Sequence, residues 1–383
     1  MQLSWLIRKI FILLIIFSLG VSAPAFAAGE MQTKAEYAIL MDPDGVILFD
    51  KNSDIQMGPA SMTKLMTLYL LFDALKTGEI SLNSEFPVSE KAWRKGGSKM
   101  FVKEGTDVKV EDLIRGIIIH SGNDACIVVA EGISGSEDAF AEDMNFMASK
   151  LGLEGSHFRN STGWPDPDHY MTSRDLAILA QHLINDFPEY YHYFAEKTYE
   201  YNNIKQSNRN GLLYRGIGVD GLKTGHTEDS GYGIVASSVQ DGRRLIVVVN
   251  GLANAKERVT EAERLLRHGY RDFKNIELYK KGDVIDSIDV WFGEKKKINL
   301  VAQADIGVLQ KRRLSKKEDI KMAIAYRSPL VAPIKKGDHI ANLVIKKDDK
   351  IEKVLAIKAH EDINKLSFIR RMFAVPKYVL FGN

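Results

Sequence analysis

The chain of 383 residues predicts an α/β or α+β sheet domain joined to a small all-β domain, and three observations carry that reading. Short apolar runs open and close the first part of the chain with helix-period runs between them, the helical period is lost from Ile276 onward, and the charge balance changes at the same point. Residues 28 to 274 carry 27 basic and 36 acidic side chains, whereas residues 275 to 360 carry 19 basic and 12 acidic. With 45% hydrophobic and 27% charged residues the composition is that of a folded globular chain.

The elements follow in order. Arg8 and Lys9 precede the apolar run Ile10 to Phe17, which Ser18 to Val21 continue, and Ala25-Phe26-Ala27 has the small-x-small form of a cleavage site just after Pro24. The run is short for a membrane span, so residues 1–27 read as a secretory signal peptide and the mature chain starts near Ala28. Removing Arg8 and Lys9 takes the net charge from +2 to about 0, which argues against nucleic acid as a partner. Cys126 is the only cysteine, so no intrachain disulfide contributes to stability.

Tyr37 to Met41 and Val46 to Phe49 flank the turn residues Asp42-Pro43-Asp44-Gly45 as a hairpin. Gly58-Pro59-Ala60 then precedes Ser61, and Leu65, Leu68, Phe72 and Leu75 recur at helical spacing with Met66 and Leu71 widening the face, so Ser61 lies at the first turn of a mostly buried helix. Helical runs fill residues 110 to 185 apart from the loop Asn160 to Tyr170, and Thr172 reads as a helix cap. Strands return at Gly221–Lys223, Gly231–Ser237 and Arg244–Val249, followed by an amphipathic helix from about Ala255 to Phe273. Beyond it, Val284 to Val290, Ile298 to Ala302, Met322 to Tyr326, Ile340 to Ile345 and Val354 to Ile357 are short β-leaning pieces; Pro329 and Pro333 do not suit central strands. Asp362 to Phe373 forms a last candidate helix.

Three separated motifs carry chemistry. A serine hydroxyl needs a base within reach, and in Ser61-Met62-Thr63-Lys64 the serine and lysine share a helix face. A lysine serves as that base only when burial or other positive charge lowers its pKa. Ser121-Gly122-Asn123 lies between helical segments and Lys223-Thr224-Gly225 at the end of a strand, settings from which a serine, an amide and a second lysine face one cleft. Each tripeptide alone is an ordinary loop or strand end; the three in order are not.

With these motifs the sequence resembles the low-molecular-mass penicillin-binding proteins, specifically the serine D-alanyl-D-alanine carboxypeptidases of the DacA type. Pro59-Ala60-Ser61-Met62-Thr63-Lys64-Leu65-Met66, Ser121-Gly122-Asn123-Asp124-Ala125-Cys126 and Asp220-Gly221-Leu222-Lys223-Thr224-Gly225-His226-Thr227 carry the resemblance, which extends from about Lys34 to Lys274, with a β-rich remainder like the family's second domain. It implies a penicillin-binding/β-lactamase-like transpeptidase domain over residues 28–274, a β-rich domain over 275–360 and a membrane-associating helix over 361–383, with no cofactor and no metal.

Residue by residue, the resemblance implies Ser61 as acylated nucleophile, Lys64 as base and Ser121 as relay to the leaving amine. Asn123 is then expected to hold the substrate amide, Lys223 to maintain a positive field, and Thr224 and Gly225 to line the strand along which the substrate lies. The backbone N–H groups of Ser61 and His226 form the implied oxyanion site, and Arg209 sits where the family has an arginine near the substrate's terminal carboxylate; Arg258 is a weaker candidate for that task. The expected reaction removes the terminal D-alanine from peptidoglycan pentapeptide stems through an acyl-enzyme, with β-lactams as covalent inhibitors.

The nearest alternative, a serine β-lactamase, usually has a glutamate in the loop after the second motif, and Phe158 to Met171 offers only Asp166 and Asp168. Endopeptidase action and a non-catalytic wall-binding scaffold are further alternatives; the full set of motif residues argues against the scaffold. Cys126, on an apolar helix, reads as a small inert hydrophobe rather than a nucleophile. His120 and His226 adjoin the motifs, but no zinc-binding spacing appears. Phe368, Ile369, Met372 and Phe373 with Arg370, Arg371 and Lys377 suggest peripheral contact with lipid at the periplasmic face of the inner membrane.

Overall fold

The computed structural model describes residues 31–312, 319–368 and 370. The expected signal-peptide segment 1–27 lies outside them, as do residues 371–383 of the expected lipid-binding tail.

Strands β1 (Tyr37–Met41) and β2 (Ile47–Lys51) form the expected hairpin. Three longer strands, β3 (Val219–Thr227), β4 (Gly231–Gln240) and β5 (Arg243–Leu252), complete an antiparallel sheet in the order β2-β1-β5-β4-β3, which leaves β3 on an edge. Side chains alternate across a strand. Ile39, Met41, Ile246 and Val248 therefore point into the main core, while Leu40 and Leu245 face a covering helix, where a Cβ on Gly269 would lie within 3 Å of both. Apolar contacts on both faces explain why β5 reads as the unbroken run Leu245–Val249.

The main core is built around helix α1 (Lys64–Thr77), whose Leu65, Met66, Leu68, Leu71 and Phe72 are fully buried. Helices α2 (Val110–Ile118), α3 (Asn123–Ser134), α4 (Glu137–Lys150) and α5 (Ser173–Asp186) pack with it, and α6 (Ala255–Asp272) covers the other sheet face. Ser136, Thr172 and Asn254 accept backbone N–H bonds as the N-caps of α4, α5 and α6. Two sequence expectations are corrected here. Ser61 sits not in α1 itself but in a 3-10 turn, Ala60–Thr63, that leads into it. Lys223-Thr224-Gly225 is the middle of β3 rather than its end, because β3 continues to Thr227 through pairing with β4.

The remainder is β-rich. Phe273–Tyr279 pairs with Ile306–Lys311, Val284–Trp291 with Lys297–Val301, and Ile320–Ala325 with His339–Lys347 and then Lys350–Lys358. These strands enclose a second apolar cluster that includes Ile288, Leu300, Leu343 and Ile345. The helix expected from Asp362 is not formed at its start: Ile363 bridges to Ile334 and Lys365 to Gly293 as extended chain, and Ile363 is buried in the β-domain core. Burial of that one isoleucine outweighs the local helical pattern.

Candidate active site

The turn preceding α1 places the nucleophile candidate. Ala60 adopts φ +49, an unfavourable left-handed conformation for a residue with a side chain. Lys64, fully buried at the start of α1, has its Nζ 2.9 Å from Ser61 Oγ, 2.8 Å from Asn123 Oδ1 and 2.6 Å from the Thr162 carbonyl oxygen. A neutral amine has two N–H bonds and one lone pair. Two of these neighbours are pure acceptors and the third is a hydroxyl, so the neutral amine satisfies both carbonyls and still receives the Ser61 O–H. Burial pushes the amine down to about 8, and the positive charges of Arg209 and Lys95 act in the same direction.

Ser121 lies in the short link between α2 and α3 with φ +57, and its Oγ accepts from Lys223 Nζ at 2.9 Å. Burial holds the Lys223 amine well below the ordinary lysine range, and the Lys64 charge adds to the effect. Asn123 opens α3. Its Nδ2 donates to the Gly96 carbonyl at 2.9 Å while its Oδ1 accepts from Lys64. The adjacent Asp124 carboxylate accepts from the N–H groups of Met100, Phe101 and Val102, fixing the 96–102 loop over the cleft.

Edge strand β3 forms the opposite wall. A Cβ at Gly225 would stand 2.8 Å from the Pro59 carbonyl oxygen, so only glycine lets β3 approach the nucleophile turn this closely. Thr224 is buried beside Lys223, and the exposed His226 ring stacks on Tyr232 with centroids 3.8 Å apart. Arg209 reaches across from a loop to donate to Ser98 Oγ at 2.6 Å. Arg258 is 93% buried on α6, since its exposure is 7%; it has no ion-pair partner among the described residues and no acceptor for Nε, and it makes long contacts of 3.4 and 3.5 Å to the Gly225 and Arg209 carbonyls and lies over the Tyr232 ring at 5.6 Å. Burial pushes its guanidinium down to about 10. A buried arginine beside the edge strand with no ion-pair partner among the described residues can take an anion.

The structure thus brings together Ser61, Lys64, Ser121, Asn123, Lys223, Thr224, Gly225 and Arg209, with Arg258 alongside. Burial pushes the Cys126 thiol up to about 12, the direction of an inert residue. His120 uses Nε2 on the Tyr199 carbonyl and is not bonded to the motif residues. Sequence reading passed over Thr162, whose contribution is a carbonyl oxygen that no residue type announces. It also passed over a cavity of about 690 Å³ lined by residues including Ala60, Trp164, Asp166, Tyr170, Thr227 and Asp229, beside the nucleophile turn.

A family model described as D-alanyl-D-alanine carboxypeptidase matches residues 24–254, and one described as penicillin-binding protein 5, C-terminal domain, matches residues 273–365. The D-alanyl-D-alanine carboxypeptidase DacA of Haemophilus influenzae is 38% identical over 346 residues, 89% of this chain and 88% of its own. The crystal structure of penicillin binding protein 5 from Haemophilus influenzae superposes with a TM-score of 0.78 at 37% identity, covering 88% of this chain and 99% of that one. Penicillin-binding protein D2 of Listeria monocytogenes in its ampicillin-bound form gives 0.58 at 27% identity over 63% of this chain and all of its own. The chain therefore belongs to the D-alanyl-D-alanine carboxypeptidase family of the penicillin-binding protein 5 type, and it is a serine-type D-Ala-D-Ala carboxypeptidase acting on peptidoglycan stem peptides.

Proposed function

We propose that Ser61 is the acylated nucleophile and that neutral Lys64 takes its proton. The observation that carries this reading is the fully buried amine held between two carbonyl acceptors and the Ser61 hydroxyl. The Ser61 Oγ attacks the penultimate D-Ala carbonyl, and its proton passes to the Lys64 lone pair. The backbone N–H groups of Ser61 and His226 receive the developing oxyanion. Collapse breaks the peptide C–N bond, Ser121 relays a proton to the leaving amine, and D-alanine departs. Water then attacks the acyl ester with Lys64 again as base, and Ser61 recovers its proton.

The leaving residue's carboxylate lies against Thr224, the exposed Arg209 and the buried Arg258, whose guanidinium has no ion-pair partner among the described residues. Asn123 holds the substrate amide, Lys223 keeps the cleft electropositive around Ser121, and the backbone of Thr224 to His226 runs beside the peptide. The acyl side extends toward the cavity bounded by Ala60, Trp164 and Thr227, whose lining includes neither Arg209 nor Arg258. β-Lactams acylate the same serine, a reading supported by the ampicillin-bound relative. Residues 1–27 direct export, residues 28–274 and the β-rich remainder through Lys365 fold as the two domains, and the segment beyond Lys365 gives peripheral attachment at the periplasmic face of the inner membrane. Among the described residues no helix is long and apolar enough to cross a membrane.

Peptide mapping by mass spectrometry after penicillin treatment, combined with D-alanine release from a diacetyl-Lys-D-Ala-D-Ala peptide, tests the assignment. The expected adduct is on Ser61, and an adduct elsewhere or unchanged release by Ser61→Ala rejects it.

A further inference from the structure

The shortest contact Lys64 makes is the 2.6 Å one to the main-chain oxygen of Thr162. A backbone carbonyl points where its own turn directs it, so whatever winds residues 160–164 decides where this acceptor lies. One side chain organises the turn. Asn160 Oδ1 accepts from the Thr162 N–H at 3.1 Å, the Thr162 hydroxyl at 2.9 Å, the Gly163 N–H at 2.9 Å and the Trp164 N–H at 3.0 Å. Its Nδ2 closes the ring by donating to the Trp164 carbonyl at 3.0 Å. An amide oxygen has two lone pairs, and four donors converging on one describe a turn wrapped about that atom.

The wrapped turn is docked on three sides. The Thr67 hydroxyl donates to the Ser161 carbonyl at 2.6 Å. The Ser161 hydroxyl donates to the buried Glu137 at 2.8 Å, and Lys91 pairs with the same carboxylate at 2.9 Å. A Cβ on Gly163, whose φ is +77, would stand 1.8 Å from the Ala60 carbonyl oxygen, so this turn presses directly on the turn that carries Ser61.

We propose that Asn160 is a positioning residue for acylation: by winding residues 160–164 around its carboxamide, it aims the Thr162 carbonyl at Lys64. That carbonyl and Asn123 Oδ1 engage both N–H bonds of the neutral amine and leave its lone pair facing Ser61. Without the Thr162 acceptor the amine turns freely about its terminal bond, and most orientations present an N–H rather than the lone pair to the serine. Misplacement of this kind costs roughly 10- to 100-fold in rate. The inference rests on Ser61 and Lys64 having the roles proposed above.

The test uses the full chain and follows benzylpenicillin acylation of Ser61 from pH 6 to 10, alongside D-alanine release, in wild type, Asn160→Ala and Asn160→Asp. Asn160→Ala is expected to lower the high-pH plateau of acylation at least about 10-fold and to reduce kcat while leaving KM within about twofold. Asn160→Asp keeps acceptor oxygens for the converging donors, so its plateau should stay within about threefold of wild type. Its acidic limb should move to higher pH, because a nearby carboxylate favours the ammonium form of Lys64. A wild-type plateau in Asn160→Ala overturns the proposal. So does an Asn160→Asp protein that melts cooperatively yet loses at least about 10-fold of the wild-type plateau rate, and this second measurement decides the matter alone if the alanine variant does not fold. A wild-type adduct mapped away from Ser61 rejects the underlying assignment instead, and it is read before any rate.

Discussion

Raising the pH from 6 to 9 is the perturbation that reports most directly on the buried base. Only neutral Lys64 accepts the Ser61 proton, and burial holds this amine at about 8. At pH 7 a group with that pKa is about one-tenth neutral, whereas an ordinary lysine near 10.4 is neutral in only about 0.04% of molecules, so burial supplies roughly 200-fold more base. The acylation rate should then rise about tenfold from pH 6 to 7, about fivefold from 7 to 8 and less than twofold from 8 to 9. Stopped-flow measurement of the second-order rate constant with a fluorescent penicillin gives the profile. Arg209→Gln supplies the sign check: Arg209 helps hold Lys64 down, so its loss should move the midpoint upward. A rate constant that stays flat from pH 6 to 9, or a midpoint at pH 10 or above, refutes a desolvated Lys64 as the base.

Four other outcomes are expected. Ser61→Ala should abolish both D-alanine release and penicillin labelling with little change in melting temperature, since the hydroxyl is only half-buried. Arg258→Gln should raise KM for the peptide by about 10- to 150-fold with kcat nearly preserved, because a charge-assisted hydrogen bond contributes ~1.5–3 kcal/mol; an unchanged KM would remove Arg258 from the carboxylate site. Gly163→Ala places a methyl group 1.8 Å from the Ala60 carbonyl at φ +77 and should destabilise by more than about 3 kcal/mol, read by denaturant unfolding. Deletion of residues 371–383 should release the enzyme from washed membranes with its melting temperature unchanged, whereas deletion from Asp362 also removes buried Ile363 and should destabilise the β domain by about 2–4 kcal/mol.

The parts of this molecule legible in the sequence are those in which residue type determines the outcome. The apolar spacing of Leu65, Leu68, Phe72 and Leu75 gave α1, the turn residues Asp42 to Gly45 gave the β1–β2 hairpin, and Ser61, Lys64, Ser121 and Lys223, whose bonds lie in one cleft, were recognisable by their hydroxyls and amines. The limits of β3 were not legible, since Gly225 interrupts the strand preference of Thr224 and Thr227 and the stretch is held by pairing with β4. Nor was the contact of Thr162 with Lys64, which is made by main chain. The only sequence signal for that turn is Asn160 three residues before Gly163, an asparagine that folds local backbone around its own amide. Ile363 shows the converse case, in which helical spacing was present but a distant core had the stronger claim on the side chain.

The bonds around Lys64 join it to groups 3, 59 and 98 positions away in the chain, and the Lys223–Ser121 bond closes over 102. Reactivity therefore cannot precede assembly: a partly folded chain has the serine and lysine side by side but none of the distant acceptors that orient the amine, and water reaches it. Covalent labelling by a fluorescent penicillin should consequently follow the slowest long-range step of refolding rather than the appearance of helical signal. The drug then doubles as a probe of native tertiary structure in this chain.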